Sequence, residues 1–419
     1  MTPAIGVRLL AGPRGWESLT EHQKRLGRRP QGTGHLIDVL RDSGLRGRGG
    51  AWFPTWRKWS AVRESSDGHA VVVVNGHEGE PLSAKDRVLL QMRPHLVLDG
   101  AALAAEALGA SQVVVYLSRS SKETDQAVRR AVEERRVLEE PPVGVERTAH
   151  RYVAGESSAV VSRASGSQSK PRFTLVRMAE KGVDDRPTLV QNAETLAHVA
   201  MIARHGPAWF RQLGTEASPG TTLMTLTGNV KRPGVYEVDL RATVGAVVRE
   251  TGGTVSPPAG ALLGGYFGSW FAPAALDALP LDVDVLRSRH GAAFGCGILA
   301  VLPQGGCAIV EATRILAYLA AESAGQCGPC VNGLAALAET MGRVSSSSAE
   351  LGDIENVMRW VDMVKGRGAC HHPDGAVGQL HSALCVFKEH LHAHLIGRAC
   401  RGAKTAGFPQ PPAPGDGWK

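Results

Sequence analysis

Cys327, Cys330 and Cys370 are the residues of this 419-residue chain best suited to hold a metal. The first two stand three apart in ESAGQCGPCVNG, and the third is followed at once by His371 and His372. Thiolates at such spacing bind zinc or iron–sulfur clusters. On residue types alone, zinc held by the three thiolates and one histidine is the leading reading. Cys296, Cys307, Cys385 and Cys400 stand singly and are expected to be small, buried, apolar residues. His381, His390, His392 and His394 crowd one late helical stretch, where a solvated helix face is expected rather than a metal site.

A second kind of chemistry lies earlier. In SGLRGRGGAWFPTWRKW (43–59), Gly47, Gly49 and Gly50 allow successive N–H groups to turn inward as an anion-binding nest. Arg48 and Lys58 add positive charge, so phosphate is the natural occupant. The loop follows a helical pattern rather than a strand, which excludes the dinucleotide fingerprint. In VVVVNGHEGEPLSAKDR (71–87) a buried-strand pattern ends at Asn75 and runs straight into His77, Glu78 and Glu80. Ligands of open parallel sheets bind beyond the carboxyl ends of strands, where these groups could accept hydrogen bonds from ribose or ring N–H. Lys85, Asp86 and Arg87 read as a local salt-bridge cluster. YVAGESSAVV (152–161) and RPTLVQNAETLAHVA (186–200) place Glu156, and Thr188, Gln191 and Asn192, ahead of helical patterns. Taken singly, helix capping is the simpler use of each.

The elements that must position these groups alternate. GTGHLIDVLRDSGL (32–45) has helical spacing, AVVVVN (70–75) is a buried strand, RPHLVLDGAALAAEALGA (93–110) a helix, SQVVVYL (111–117) a strand, and SSKETDQAVRRAVEERRVL a helix. Strand–helix alternation predicts α/β with a parallel sheet. From about residue 220 the pattern changes. GTTLMTLTGNVKRPGVYEVDL predicts two strands, ATVGAVVRETGG a short helix and ALLGGYFGSWF another strand. Helical patterns dominate from about 308 to 395, as in a small bundle, and KTAGFPQPPAPGDGWK reads as disordered.

Length predicts several packed units. No apolar run approaches a membrane span, and the first residues lack a signal-peptide core, so a cytoplasmic location without membrane insertion is expected. Seven cysteines in such a chain argue against a disulfide framework. The formal charge is +7, but Lys and Arg are scattered and aromatics make up 5%, which disfavours nucleic acid. An acidic protein partner or an anionic cofactor suits that charge better.

The glycine loop, EGEP…KDR, the GE helix start, NAETLA and GQCGPC follow one another in an order that resembles one family, from about residue 35 to 395. It is the NADH-binding flavoprotein subunit of respiratory complex I, with the related diaphorase subunits of NAD-linked hydrogenases and formate dehydrogenases. The resemblance implies an N-terminal extension (1–34) and a Rossmann-like FMN/NADH-binding domain (35–218). A ubiquitin-like β-grasp domain of SLBB type (219–307), a helical iron–sulfur domain (308–396) and a disordered tail (397–419) would follow. It also implies an NADH:acceptor oxidoreductase that passes electrons to a ferredoxin-like or complex I-type partner. Gly47, Gly49, Gly50 and Lys58 would hold the FMN phosphate. Asn75, Glu78, Tyr152, Gly155, Glu156 and Asn192 would line the flavin, and Phe53, Glu80, Lys170 and Phe173 would face the nicotinamide nucleotide. The flavin would carry the chemistry, with no side chain needed as acid or base.

This chain departs from the family pattern at informative places. Trp52 and Trp56 stand for two glycines and Ala61 for an aromatic. His77 replaces an aspartate, Ser157 a glutamate and Gln191 an asparagine. A tryptophan at position 52 either fills the nicotinamide space or offers a new stacking surface. The family's first cluster cysteine is Ala324 here, leaving Cys327, Cys330 and Cys370, with His371 and His372 as replacement ligands for a 4Fe–4S cluster. A 3Fe–4S cluster, zinc and no metal are the alternatives. The rival to the enzyme is a paralogue that keeps the fold to bind a partner, or that draws electrons from another donor.

Overall fold

The computed structural model describes residues 4–398, 407–413, 415, 417 and 418. Ala70–Asn75, Ala110–Ser118, Val143–Thr148 and Thr188–Asn192 form a four-stranded, wholly parallel sheet. Its valine run is covered on both faces, which is why it does not alternate with polar residues. Val72 and Val74 pack with Leu96 and Leu196 on one side; Val71 and Val73 pack with Tyr116, Val160 and Val190 on the other. The strands lie in the order 143–148, 110–118, 70–75, 188–192. The chain therefore steps outward twice from Ala70–Asn75 and then crosses to its other side. That places the topological switch point between Ala70–Asn75 and Thr188–Asn192, where open α/β sheets bind ligands.

A second, mixed sheet carries six strands and has the β-grasp character expected. Thr221–Gly228 and Gly234–Asp239 pair antiparallel, as the sequence indicated. The stretch expected as one strand is a hairpin, Pro258–Leu263 with Ser269–Phe271, because Gly264 turns at φ 102°. Ile298–Pro303, not foreseen, fills the centre, parallel to Thr221–Gly228 and antiparallel to Pro258–Leu263. The segment expected as an extension is stitched into the body. Ile5–Gly6 adds an edge strand, and the Glu237 carboxylate accepts from the N–H groups of Arg8 and Leu9. Helix Leu19–Leu26 closes with a Ser18–Glu21 capping box and sends His22 to Asp99 at 2.9 Å.

Helices Ala308–Ala321, Ala335–Ser345, Asp353–Val364, His372–Val386 and Lys388–Leu395 follow. The histidine-rich face is split: His381 and His392 are exposed, whereas His394 is buried with its ring nitrogens on Cys307 and Ser347. Cys385 is exposed, against expectation, and Cys400 lies outside the described residues. The tail also departs from expectation. Phe408 stacks on Trp270 at 5.6 Å, and the Trp418 indole lies under the Arg151 guanidinium at 4.4 Å. Two aromatic anchors outweigh a composition of Pro and Gly; residues 399–406, 414, 416 and 419 lie outside the described set. Among the described residues no helix is long and apolar enough to cross a membrane.

Candidate functional site

Asn75 and Asn192 end the two strands that flank the switch point and are direct cross-strand partners. Asn75 donates from Nδ2 to the Gly155 carbonyl at 2.9 Å, tying the strand end to the YVAGE turn. Asn192 caps the helix that begins at Ala193, accepting from the N–H of Glu194 and Thr195, and donates to Asp86. Over this end lies the glycine loop. Its mouth is closed by the bridge between Arg46 and Pro54 and by Gly47 N–H to the Phe53 carbonyl at 2.9 Å. A Cβ on Gly49 would stand 3.2 Å from the Asn192 Cβ, a tight contact that glycine avoids as the loop settles over the strand end.

Of the two basic groups assigned to this loop, one is spent. The Arg48 N–H donates to Thr195 Oγ1, and its buried guanidinium donates to the carbonyls of Arg46, Pro219 and Thr221. Arg48 thus ties the loop to the second sheet, and burial lowers its pKa to about 10. Lys58 behaves differently. Its ammonium donates to the Val190 carbonyl, and Glu156, the carboxylate whose charge acts on it, stands beyond ion-pair contact. Burial brings its pKa down to about 8. Nearby, Gln191 is buried with Oε1 unpartnered, and its amide nitrogen lies 3.8 Å from where a Gly47 Cβ would be. A half-buried cation without a counter-ion, an orphaned amide oxygen and a glycine cradle together fit an anionic ligand with N–H groups, as a flavin phosphate and ring are.

Both indoles have protein partners of their own. Trp52 adopts φ 54°, turns into the core of the second sheet beside Leu226 and Phe294, and donates Nε1–H to the Gly295 carbonyl at 2.9 Å. Trp56 packs on the sheet-side core with Arg41 and Arg57 against its ring. Phe53 and Phe173, in contrast, are 52% and 76% exposed, free to stack on a ligand. The Lys170 ammonium lies 5.2 Å from the Trp418 ring centre.

The carboxylates divide by task. Glu78 accepts from Ser83 Oγ and from the N–H of Asp86 and Arg87, capping helix Lys85–Met92. Glu156 caps helix Ser157–Ala164. Glu80 accepts from the Tyr266 N–H at 2.7 Å and the Tyr152 hydroxyl at 2.9 Å. Glu80 is therefore held between the two sheets, and desolvation raises its pKa to about 7. The local cluster expected at residues 85–87 takes Glu194 in place of Arg87: Lys85 Nζ lies 2.8 Å from Glu194 and 2.9 Å from Asp86, all three buried.

Tyr152 leads onward. Its ring meets Phe267 at 4.8 Å and His372 at 5.6 Å. Beyond lies a pocket lined by Cys327, Cys330, Cys370, Ala324 and His372. Cys330 sits in a π-helical turn, Pro329–Leu334, a distortion common at functional sites. Burial pushes the Cys330 thiol up to about 12 and raises Cys370 as well, with the neighbouring sulfurs adding to both, so the thiols converge. No three His, Cys, Asp or Glu among the described residues gather closely enough for a single ion. That disfavours zinc, whose ligands all stand about 2.0–2.3 Å from one point. A cubane gives each ligand its own iron and holds the ligands further apart. The two candidate histidines separate: the His371 side chain is 99% exposed, whereas His372 is 2% exposed and lines the pocket.

Residues 40–201 match the Nuo51 FMN-binding domain, 223–263 the SLBB domain, and 311–394 the NADH-ubiquinone oxidoreductase-F iron-sulfur binding region. The chain is 31% identical to the second F-type component of the NADH-quinone oxidoreductase of Rhizobium meliloti over 378 residues, covering 87% of this chain and 90% of the relative. It is 32% identical to the F-type component of the NADH-quinone oxidoreductase of Streptomyces coelicolor over 380 residues, covering 87% and 84%. Among solved structures it resembles the NAD+-reducing NiFe-hydrogenase in its H2-reduced state, with a TM-score of 0.81 and 28% identity over 90% of this chain. That match spans 64% of the hydrogenase chain, just under two thirds of its length. The chain therefore belongs to the family of NADH-oxidising flavoprotein subunits, the F-type components of NADH-quinone oxidoreductases, which carry FMN and a 4Fe–4S cluster.

Proposed function

We propose that this chain is the electron-input component of a larger assembly, receiving hydride from NADH at the switch point of the parallel sheet and releasing single electrons through the cysteine pocket. The observation that carries this reading is the pairing of Asn75 with Asn192 beneath a glycine loop whose neighbour Lys58 lacks a counter-ion. Bound there, FMN supplies the two-electron to one-electron conversion that no side chain can perform.

The chain's own residues have simpler duties. Gly47, Gly49, Gly50 and Lys58 would hold the phosphate. Asn75, Gly155 and Asn192 would frame the ring, with Glu78 and Glu156 fixing the helix starts around it. Phe53 and Phe173 would stack on the nucleotide, and Lys170 would face its charge. Tyr152, bonded to Glu80, would separate flavin from cluster while keeping water out between them. Cys327, Cys330 and Cys370 would bind the cluster. Three units, 35–218, 219–307 and 308–396, would divide these tasks.

The net charge of +7 supports an acidic, ferredoxin-like iron–sulfur protein as partner, in an encounter that weakens with salt. Among the described residues Cys296, Cys327, Cys330, Cys370 and Cys385 stand outside any disulfide, which favours a reducing, cytoplasmic setting. The test is anaerobic addition of NADH to the purified chain reconstituted with FMN. Bleaching of the visible flavin band is expected; a bound flavin that NADH leaves oxidised would overturn the assignment.

A further inference from the structure

Three thiols are one ligand short of the set a cubane cluster takes from protein. The position facing them along the 323–327 turn is Ala324, which has no donor. His372 lines the same pocket from the opposite segment, two residues after Cys370. Its Nε2 lies 2.8 Å from the Leu319 carbonyl oxygen. A carbonyl can only accept, so Nε2 carries the hydrogen and the neutral ring keeps its lone pair on Nδ1. That Nδ1 is buried and without a hydrogen-bond partner among the described residues. A buried acceptor left unsatisfied is costly and rare. The arrangement is the one seen in metal-bound histidines, whose second ring nitrogen donates to a backbone carbonyl that fixes tautomer and orientation. Tyr152 and Phe267, each 5.6 Å from the imidazole centre, hold the ring edge-on. His371 shares none of this: it is in solvent beside Asp374.

We propose that His372 Nδ1 is the fourth protein ligand of the 4Fe–4S cluster, completing the set of Cys327, Cys330 and Cys370. The inference rests on the cluster reading of this pocket given above. Ligation is a dative bond from the Nδ1 lone pair to one iron, and no proton leaves because that nitrogen bears none. Ser323 and Gln326 also line the pocket; the Ser323 Oγ accepts from the Gly325 N–H at 3.1 Å, and neither residue offers a buried nitrogen lone pair without a partner. Imidazole in place of thiolate removes one negative charge from the cluster and raises its potential, as it does in Rieske centres. The same residue touches Tyr152, so the ligand that tunes the cluster also packs on the flavin side of the site.

The test uses the full chain, purified anaerobically and reconstituted with iron and sulfide, with both quantified and the reduced cluster studied by pulsed electron paramagnetic resonance. The expected result is about four irons per chain and an iron-bound nitrogen coupling that changes on 15N-histidine labelling. His371→Ala should retain that coupling and His372→Ala should lose it. His372→Cys should keep the four irons, lose the coupling and titrate at a lower potential. If His372→Ala fails to fold, the isotope-labelled parent chain still decides. A four-iron cluster with no histidine nitrogen, a coupling that survives His372→Ala, or a three-iron cluster in the parent would each overturn the assignment of His372. Zinc without iron, or flavin with no cluster at all, would overturn the cluster reading beneath it.

Discussion

Lys58 points its ammonium at the carbonyl of Val190, one residue before the Gln191 whose amide oxygen has no partner. A cation and an acceptor, both short of partners, thus stand at the end of Thr188–Asn192, under the glycine loop.

Lys58→Met should weaken FMN binding about 10- to 100-fold, the loss of a charge-assisted contact of roughly 1.5–3 kcal/mol, read by flavin fluorescence titration. Burial holds this ammonium at about 8 against an ordinary 10.5. The unfolded chain therefore binds the extra proton between those values, and flavin-free protein should gain stability as pH rises from about 8 to 10.5. Urea unfolding across that range should show the slope in the parent and its absence in Lys58→Met.

Trp52 is a core residue of the second sheet. Trp52→Ala should cost about 3–5 kcal/mol of stability, measured by denaturant unfolding, since it empties a site beside Leu226 and Phe294 and strands the Gly295 carbonyl. A variant of unchanged stability but much tighter NADH binding would show that the indole occupies the ligand's place instead.

Glu80 makes the opposite pH contribution to Lys58. Desolvation raises its carboxyl to about 7 from 4.5, so the folded chain holds the proton more tightly. Its contribution is fully present below about 4.5 and is lost as pH rises through about 7. Glu80→Gln keeps an acceptor for Tyr152 and Tyr266; it should flatten the pH dependence of the melting temperature over that window.

Lys85 neutralises Asp86 and Glu194 in the interior, and Glu194 in turn accepts from the Leu223 N–H and the Thr222 hydroxyl of the second sheet. Lys85→Met leaves two buried carboxylates without a cation. A loss of about 3–5 kcal/mol is expected, by chemical unfolding, with partial recovery at low pH, where Asp86, its carboxyl already raised by burial, is protonated.

Local patterns made two of the four parallel strands legible, Ala70–Asn75 and Ala110–Ser118, but not Val143–Thr148 or Thr188–Asn192. Ala70–Asn75 is four valines between small and polar residues, and nothing but a strand covered on both faces accommodates that run. The glycine loop, the GE helix start and GQCGPC were equally readable, because each is a short motif whose chemistry lies in residue type and spacing. Patterns spread across distance were not. Ile298–Pro303 is as apolar as a helix segment, and only its two neighbours make it a central strand. Phe408 and Trp418 are two aromatics in a Pro-rich tail, and their partners Trp270 and Arg151 are over a hundred residues away in sequence.

What the residues alone determined was the inventory: which groups could hold phosphate, flavin and iron. Tertiary structure decided which of them are available. Arg48 and Lys58 look alike in sequence, yet three carbonyls consume one while the other keeps its charge uncompensated. His371 and His372 are adjacent, yet helix geometry turns one to water and the other to the thiols. The reason is that availability depends on every neighbour a group meets when the chain closes. Those neighbours come from segments the local sequence does not contain.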